Sequence, residues 1–187
     1  VGNSRVFLMS EVAGRSTIIE KIQKLVPNIK KTDKVVDTII EKMKQLEMEG
    51  YQFEGADGSF ELMVLKILGK YKPVFKLHYY QTNGSNPRPE EGVCCCAQIK
   101  DDERWAEEVE NMEKAGIEKF YAEVSHIRLV DYKVRVIDGR SATAAKVRVI
   151  IESTDGKTNW TTVGVSCDLI EASWIALSDS FELYLNK

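Results

Sequence analysis

The residues with the clearest chemical potential lie near the C-terminus, where a glycine and a serine directly precede a predicted helix. Gly164, Val165 and Ser166 form a predicted glycine turn, and the helix begins at Asp168. Free backbone N–H groups and the positive end of a helix dipole favour a carboxylate or phosphate ligand at such a place. Most helices begin with a capped loop and bind nothing, so the segment alone is a weak indication of an anion site.

Three carboxylates, those of Glu54, Asp57 and Glu61, also lie close together in the sequence. Paired carboxylates can act as acid and base or hold a metal, but no histidine or basic partner accompanies these, which favours a solvated loop and a capped helix start. His78 and His126 lie in unrelated segments without ligand spacing. The sequence contains no Ser-His-Asp set and no phosphate loop, so we predict no catalytic residues in this chain.

Three of the four cysteines are adjacent, at Cys94, Cys95 and Cys96. In an extended segment neighbouring side chains point to opposite faces, so these thiols cannot jointly bind one metal as spaced pairs do. We interpret them as reduced thiols in a strand, and we predict neither a metal site nor a bound cofactor in this part of the protein.

The composition narrows the class of protein further. The 187 residues carry a formal net charge of −3, so no basic excess draws the chain onto nucleic acid or an anionic membrane. No stretch reaches the roughly 18 apolar residues that a membrane span needs. We therefore predict a cytoplasmic globular protein with neither of those partners. Because the chain starts at Val1 without a methionine, we interpret it as part of a longer protein.

Helical periodicity dominates the first seventy residues. Apolar residues recur at helical spacing after Asp33, and Gly50 is a natural stop for that helix. Shorter helices are predicted on either side of it, at 16–24 and 59–68. After residue 72 the pattern alternates, which predicts strands at 72–79 and 93–100, a loop at 82–92 between them, and then a helix at 105–121.

The last third of the chain predicts an antiparallel meander followed by a helix. One strand places its apolar side chains on one face and its charged side chains on the other, and two Asp-Gly turns join it to the next two strands. The final helix begins at Asp168, with Glu171 placed to complete a capping box. The apolar face of the first strand is predicted to comprise Val130, Tyr132, Val134 and Val136, opposite Asp131, Lys133 and Arg135.

The segments 96–100 and 144–148 resemble each other, which indicates two copies of a βββα unit. In the first copy the third strand would be only the few residues around 103–105. We therefore predict an α+β fold, with helical linker subdomains at 1–70 and a regulatory domain of two βββα units with antiparallel sheets at 71–187.

Four stretches resemble the 2-isopropylmalate synthase superfamily, most closely its citramalate synthase branch. Residues 2–16 (GNSRVFLMSEVAGRS) and 51–62 (YQFEGADGSFEL) are similar to the linker subdomains of that family. Residues 127–136 (IRLVDYKVRV) and 162–174 (TVGVSCDLIEASW) are similar to its C-terminal regulatory domain. Residues 100–108 (KDDERWAEE) depart from the pattern, because the family usually has a glycine-rich turn there.

The resemblance implies a function for the parent protein and a narrower one for this chain. Family members join acetyl-CoA to a 2-oxo acid in a metal-dependent condensation, on an N-terminal barrel that has no counterpart here. The divalent metal and acetyl-CoA are therefore expected in that barrel. For this chain the resemblance implies a homodimer whose interface binds the end product, isoleucine or leucine, for feedback inhibition.

An amino-acid effector needs donors for its carboxylate, an acceptor for its ammonium group and an apolar slot. With the resemblance in view, Gly164, Val165, Ser166 and Asp168 are candidates for the first, Asp131 for the second, and Ile170, Tyr132 and Val147 for the third. Two other readings stay open. One is a free-standing amino-acid-binding or dimerisation module without a barrel. The other is a double-stranded-RNA-binding domain, which the acidic charge disfavours.

Overall fold

The structure is a computed structural model, which describes residues 15–30, 32–84, 93–101, 104–108, 117–118, 120–137 and 145–187. For residues 77–84, 93–101 and 104–108 the description covers the backbone. The first of the four family-like stretches, residues 2–16, lies almost wholly outside the described residues. The same is true of 109–116, in the middle of a predicted helix, and of 85–92, most of the predicted loop.

The N-terminal part contains three helices, as their periodicity predicts. They are α1 (Arg15–Leu25), α2 (Lys34–Glu49) and α3 (Asp57–Ile67). Their apolar faces meet in one buried cluster, so the three short helices are stabilised by packing against each other rather than by intrinsic helix propensity. The cluster includes Ile18, Ile19, Ile22, Val36, Ile39, Ile40, Met43, Phe53, Phe60, Met63 and Val64.

Helix α2 ends at Gly50, as predicted. Gly50 has a φ of 111°, a conformation that side chains disfavour, and its N–H donates to the carbonyl of Glu47 at 3.0 Å. A Cβ at this position would also approach the Ile137 side chain to 2.8 Å. The glycine therefore ends the helix and lets the linker approach the sheet that follows.

The first sheet contains β1 (Lys76–Gly84), β2 (Val93–Asp101) and β3 (Arg104–Glu108), in that order and antiparallel. The helix predicted at 105–121 is wrong at its start, because Trp105 pairs with Lys100 and Ala106 with Ile99 in the β2–β3 ladder. A segment with charged residues on both sides of Trp105 and Ala106 suits a short hairpin strand as well as a helix, and the pairing with β2 decides between them. The short third strand of the first copy is confirmed, although it is longer than predicted.

The second sheet contains β4 (Arg128–Val136), β5 (Val147–Thr154) and β6 (Asn159–Ser166), again antiparallel and in chain order. A 3₁₀ helix, Ala122–His126, leads into it. The predicted turn at Asp155 is confirmed: its carboxylate accepts from the N–H groups of Lys157 and Thr158 at 2.8 and 2.7 Å. The two three-stranded antiparallel sheets confirm the α+β fold.

Helix α4 (Leu169–Leu185) covers β5 and β6. Small residues let it come close, with Ala172 and Ala176 fully buried beside Val149 and Ile151. Buried hydrogen bonds complete the contact: the indole N–H of Trp160 donates to Ser180 at 2.7 Å, and the hydroxyl of Thr162 donates to the carbonyl of Ala176 at 2.7 Å. Buried polar groups that are paired in this way specify a single position for the helix.

The linker helices are held against the second sheet by charged and polar contacts. The guanidinium of Arg148 on β5 donates to the carbonyl of Gly50 and to the side chain of Gln52, both at 2.6 Å. Burial, and then the charge of Arg135, lower the pKa of Arg148. The buried hydroxyl of Ser59 on α3 accepts from the N–H of Val163 on β6 at 2.9 Å. The boundary at residue 70 between linker and regulatory domain stays a prediction.

Candidate functional site

The predicted helix start at Asp168 is confirmed, and its N-terminus is occupied by the chain's own polar groups. The Asp168 carboxylate accepts from the N–H of Ile170 at 2.8 Å, and the Ser166 hydroxyl accepts from the N–H of Asp168 at 3.1 Å. Glu171 was expected to complete a capping box, but its carboxylate accepts the hydroxyl proton of Ser166 instead. Two carboxylates at this helix start make it less favourable for an anion and more favourable for an ammonium group.

Gly164 does not form the predicted turn, which corrects that part of the sequence interpretation. It lies inside β6, paired with Val149. A Cβ at Gly164 would overlap the backbone carbonyl of Ala172 and lie 2.9 Å from the backbone nitrogen of Ala176. The glycine is therefore required for the close contact between β6 and α4, and its own position leaves no space for a ligand.

The other predicted effector residues lie on two faces of the second sheet. Tyr132, Val147 and Ser166 are on the face toward α4, since they share the register of Val149 and Ile151. Asp131 and Val165 lie on the opposite face by the same alternation. Asp131 forms an ion pair with Lys133, which lowers the pKa of its carboxyl group. The structure therefore places the first three on the face that carries α4, whose first turn contains Asp168 and Ile170, and separates Asp131 and Val165 from them.

A side-chain contact joins β4 to the N-terminal part of α4. The hydroxyl groups of Tyr132 and Ser173 are 2.7 Å apart. The Ser173 hydroxyl also donates to the carbonyl of Leu169 at 2.7 Å, within the first turns of the helix. Beyond this contact α4 does not cover β4, because its small residues place it over β5 and β6.

The apolar side chains of β4 therefore remain accessible. Val134 and Val136 are 46% and 58% exposed, and Tyr132 is 43% exposed. Val130, predicted on the same face, falls at a register shift between Leu129 and Asp131, yet it is also exposed. Together with two residues that begin α4 they form an apolar surface, called here the β4 surface: Leu129, Val130, Tyr132, Val134, Val136, Leu169 and Ile170. Alternation alone predicted a common face, but it could not show that none of the described helices covers it.

A second feature, which sequence reasoning missed, is a cavity of about 400 Å³ between the linker and α4. Helices α2 and α3 form two walls and α4 forms the third. Asp179 lies in this cavity with Ile175, one helical turn away on the same side of α4. The sequence signal was the presence of Asp179 and Glu182 in the C-terminal half of a largely apolar helix, but their partners are more than 100 residues away.

Two further searches covered the described residues. No group of three or more histidine, cysteine, aspartate or glutamate side chains there could hold a metal ion. Within the same part of the chain, none of the helices combines the length and apolar character needed to cross a membrane.

Comparison with known proteins places this geometry in a family. Residues 54–185 match the family described as the LeuA allosteric (dimerisation) domain. The chain belongs to the LeuA allosteric (dimerisation) domain family. The matched range includes α3, both described sheets and α4, so the β4 surface and the α4 wall of the cavity are parts of this domain.

Curated relatives named (R)-citramalate synthase extend the match over the linker as well. The chain is 38% identical to the protein of Aquifex aeolicus and 35% identical to that of Geobacter sulfurreducens, in both cases over the whole of this chain. It is 36% identical to the protein of Sulfolobus acidocaldarius over 99% of its own length. The chain spans only 36–38% of the length of these relatives.

Proposed function

We propose that this chain is the regulatory and dimerising region of a cytoplasmic citramalate synthase, and that two copies associate through the β4 surface. The observation that carries the proposal is the uncovered apolar face of β4. Soluble monomers rarely leave a continuous apolar patch open to water, and such patches mark interaction sites. A family described as a dimerisation domain makes a second copy of the same chain the natural occupant.

The shape of the patch supports a self-complementary contact. Val134 and Val136 on the strand and Ile170 on the helix lie on either side of the Tyr132–Ser173 contact. A two-fold axis brings the same patch of each copy together, so that each buries the other's valines. The charged side chains of Lys133 and Arg135 stay on the opposite face, outside such an interface.

We propose further that the end product, isoleucine or leucine, binds at this interface and inhibits the parent enzyme. Glu171 and Asp168 supply acceptors for an ammonium group, the role first expected of Asp131. For the carboxylate the proposed donors are Ser166 and the N–H groups of the first turn of α4, which the effector must take from Glu171 and Asp168. Tyr132, Val147 and Ile170 supply apolar contacts. The inhibition would be allosteric: the effector favours one arrangement of the dimer, and the linker conveys it to the catalytic part.

The catalytic part of the parent enzyme is proposed to hold the divalent metal and acetyl-CoA and to condense the latter with pyruvate. This part of the proposal rests on the family resemblance alone. No step of the condensation is therefore assigned to a residue of this chain.

The test combines the oligomeric state with effector binding. Light scattering after size-exclusion chromatography should give a dimer for the 187-residue chain and a monomer for Val134→Glu, because the variant buries a charge in the interface. Arg135→Glu is the matched control, one residue along the same strand on the opposite face, and it should remain dimeric. Calorimetric titration with isoleucine and leucine should detect one of them at millimolar concentration. A folded chain that is monomeric and binds neither amino acid would contradict the proposal.

A further inference from the structure

The cavity between the linker and α4 combines apolar walls with charges of both signs. Its apolar lining includes Leu46 of α2, Phe53 of the following loop, Leu62 and Met63 of α3 and Ile175 of α4. Lys42, Lys66 and Asp179 are the charged residues in it. Its volume of about 400 Å³ lies within the range of small-molecule sites, which are mostly apolar with a few polar groups that fix the orientation of the ligand.

Asp179 is the acidic residue in the lining of the cavity, and its contacts within the chain are long. Its carboxylate accepts from the Ser59 hydroxyl at 3.3 Å and from the Lys66 ammonium group at 3.5 Å. Charge-assisted hydrogen bonds are usually about 2.7–2.9 Å long, so neither contact satisfies the carboxylate fully. Burial raises the pKa of Asp179, and the nearby Lys66 only partly offsets that effect. About 21% of the side chain remains accessible, which leaves one side of the carboxylate open to the cavity.

Lys66 has alternatives to Asp179. Its ammonium group is also 3.7 Å from the Glu182 carboxylate and 4.9 Å from the centroid of the Tyr71 ring. A cation that replaced it at Asp179 would therefore leave Lys66 with a carboxylate and an aromatic face to contact. Lys66 would also remain beside the cavity, where it and Lys42 can receive an anionic group.

We infer that this cavity is a binding site for a small α-amino acid with an apolar side chain. The ammonium group of the ligand contacts Asp179, its carboxylate contacts Lys66 and Lys42, and its side chain packs against Leu46, Phe53 and Ile175. The ammonium group, the carboxylate and the apolar side chain of the ligand thus match the acidic, the basic and the apolar residues of the lining. A purely apolar ligand would leave Asp179 unsatisfied, and a purely anionic one would place a second negative charge beside it.

This site goes beyond the proposed function, because it is separate from the β4 surface. Ser173, which contacts β4, and Ile175, which lines the cavity, are two residues apart and therefore about 200° apart around α4. The cavity is formed within one chain and needs no partner. A ligand there would bridge the linker and the regulatory domain directly.

The test uses calorimetric titration of the 187-residue chain carrying Val134→Glu, so that a site at the dimer interface does not contribute. Valine, leucine, isoleucine and phenylalanine serve as probes, and 4-methyl-2-oxopentanoate serves as a probe without the ammonium group. At least one amino acid should bind with one ligand per chain, and the oxo acid should not bind. Adding Asp179→Asn should weaken binding about tenfold or more, since a charged hydrogen bond is lost. Asp155→Asn, in an exposed turn, is the control and should bind as before.

The outcomes separate this inference from the proposed function. If the folded Val134→Glu chain binds none of the four amino acids, or if Asp179→Asn binds them as tightly, the cavity is not an amino-acid site. A failure of the unmodified chain to dimerise would affect only the proposed function. Thermal unfolding of each variant checks that it folds, and Asp179→Asn is expected to keep its melting temperature because it removes a poorly solvated charge.

Discussion

The two sides of α4 differ in which groups they enclose and which they leave exposed to water. On the side toward the linker, charged groups are enclosed: Asp179 and Glu182 contact Lys66, Ser59 and Tyr71 of α3 and the segment after it. On the side toward β4, the residues of the β4 surface are exposed to water, and a contact between the hydroxyl groups of Tyr132 and Ser173 joins the helix to the strand.

The difference agrees with the proposed function, in which the linker contact is made within one chain and the β4 surface lies between two copies. Each buried charge needs its own oppositely charged or hydrogen-bonding partner, which suits a contact between two parts of the same molecule. An open apolar face needs only a complementary surface, which suits association with a second copy. The predictions below test this difference, from the largest expected effect to the smallest.

Gly164→Ala should have the largest effect, because it disturbs both sides of α4 together. The added Cβ would overlap the carbonyl of Ala172, so the helix must move away from β6. We expect the free energy of unfolding to fall by about 3 kcal/mol, as for a severely overpacked core. Urea denaturation measures it, with Val165→Ala on the opposite face as the control. A loss below about 1 kcal/mol would mean that α4 is not held against β6 as described.

Lys66→Met should weaken only the linker side. The substitution keeps most of the packing but leaves Asp179 and Glu182 without their cation. Because Lys66 is partly exposed and its contacts are long, we expect a loss of about 1–2 kcal/mol near neutral pH, less than for a fully buried pair. The dimer should persist. If Lys66→Met dissociates the dimer without unfolding it, the two sides of α4 are not independent.

The pH dependence should distinguish the enclosed carboxylates from exposed ones. Burial raises the pKa of Asp179 and of Glu182, so the folded protein holds protons that the unfolded chain has already released. Their contribution to stability is therefore present at low pH and declines as the pH rises through their folded pKa values. Asp155 is the opposite case, since hydrogen bonds from Thr158 and Lys157 lower its pKa and its contribution is lost as the pH falls.

Urea denaturation between about pH 4 and pH 7 measures this difference. Relative to the unmodified chain, Asp179→Asn should gain stability as the pH rises, whereas Asp155→Asn should lose it. Parallel curves for the two variants would show that Asp179 is not enclosed.

Tyr132→Phe should have the smallest effect. It removes the contact with Ser173, but both groups are exposed to water, so we expect a loss of about 0.5 kcal/mol or less in a monomeric background such as Val134→Glu. Thermal unfolding measures it. A loss above about 1.5 kcal/mol would mean that this side of α4 is already closed within one chain.

The sequence was sufficient where one local signal decides the structure. Asp168 begins α4, Gly50 ends α2 and the Asp155 turn joins β5 to β6, because each depends on the backbone within a few residues. The β3 strand was harder to predict, since its short segment also suits a helix and only the pairing with β2 shows that it is a strand. The sequence thus predicted local backbone conformation better than the pairing of strands.

The candidate sites were the least predictable part. Gly164 looked like a turn glycine, and only the position of α4 shows that it permits a close contact. The cavity depends on contacts of Asp179 with Lys66 and Ser59, which are 113 and 120 residues away in the sequence. Local periodicity does not predict contacts between residues so far apart. The exposure of Val134 likewise depends on where α4 stops covering the sheet.

The close contact at Gly164 divides α4 into two segments of unequal length. The helix has 17 residues and is about 25 Å long, with Ala172 near its N-terminal end, so the two segments measure about 5 and 20 Å. If α4 tilts by about 5° around the contact of Gly164 with Ala172, its N-terminal end moves by less than about 1 Å and its C-terminal end by nearly 2 Å. A small displacement at the β4 surface would thus reach Tyr71 and the linker enlarged about fourfold, which distances between spin labels at the two ends of α4 can measure.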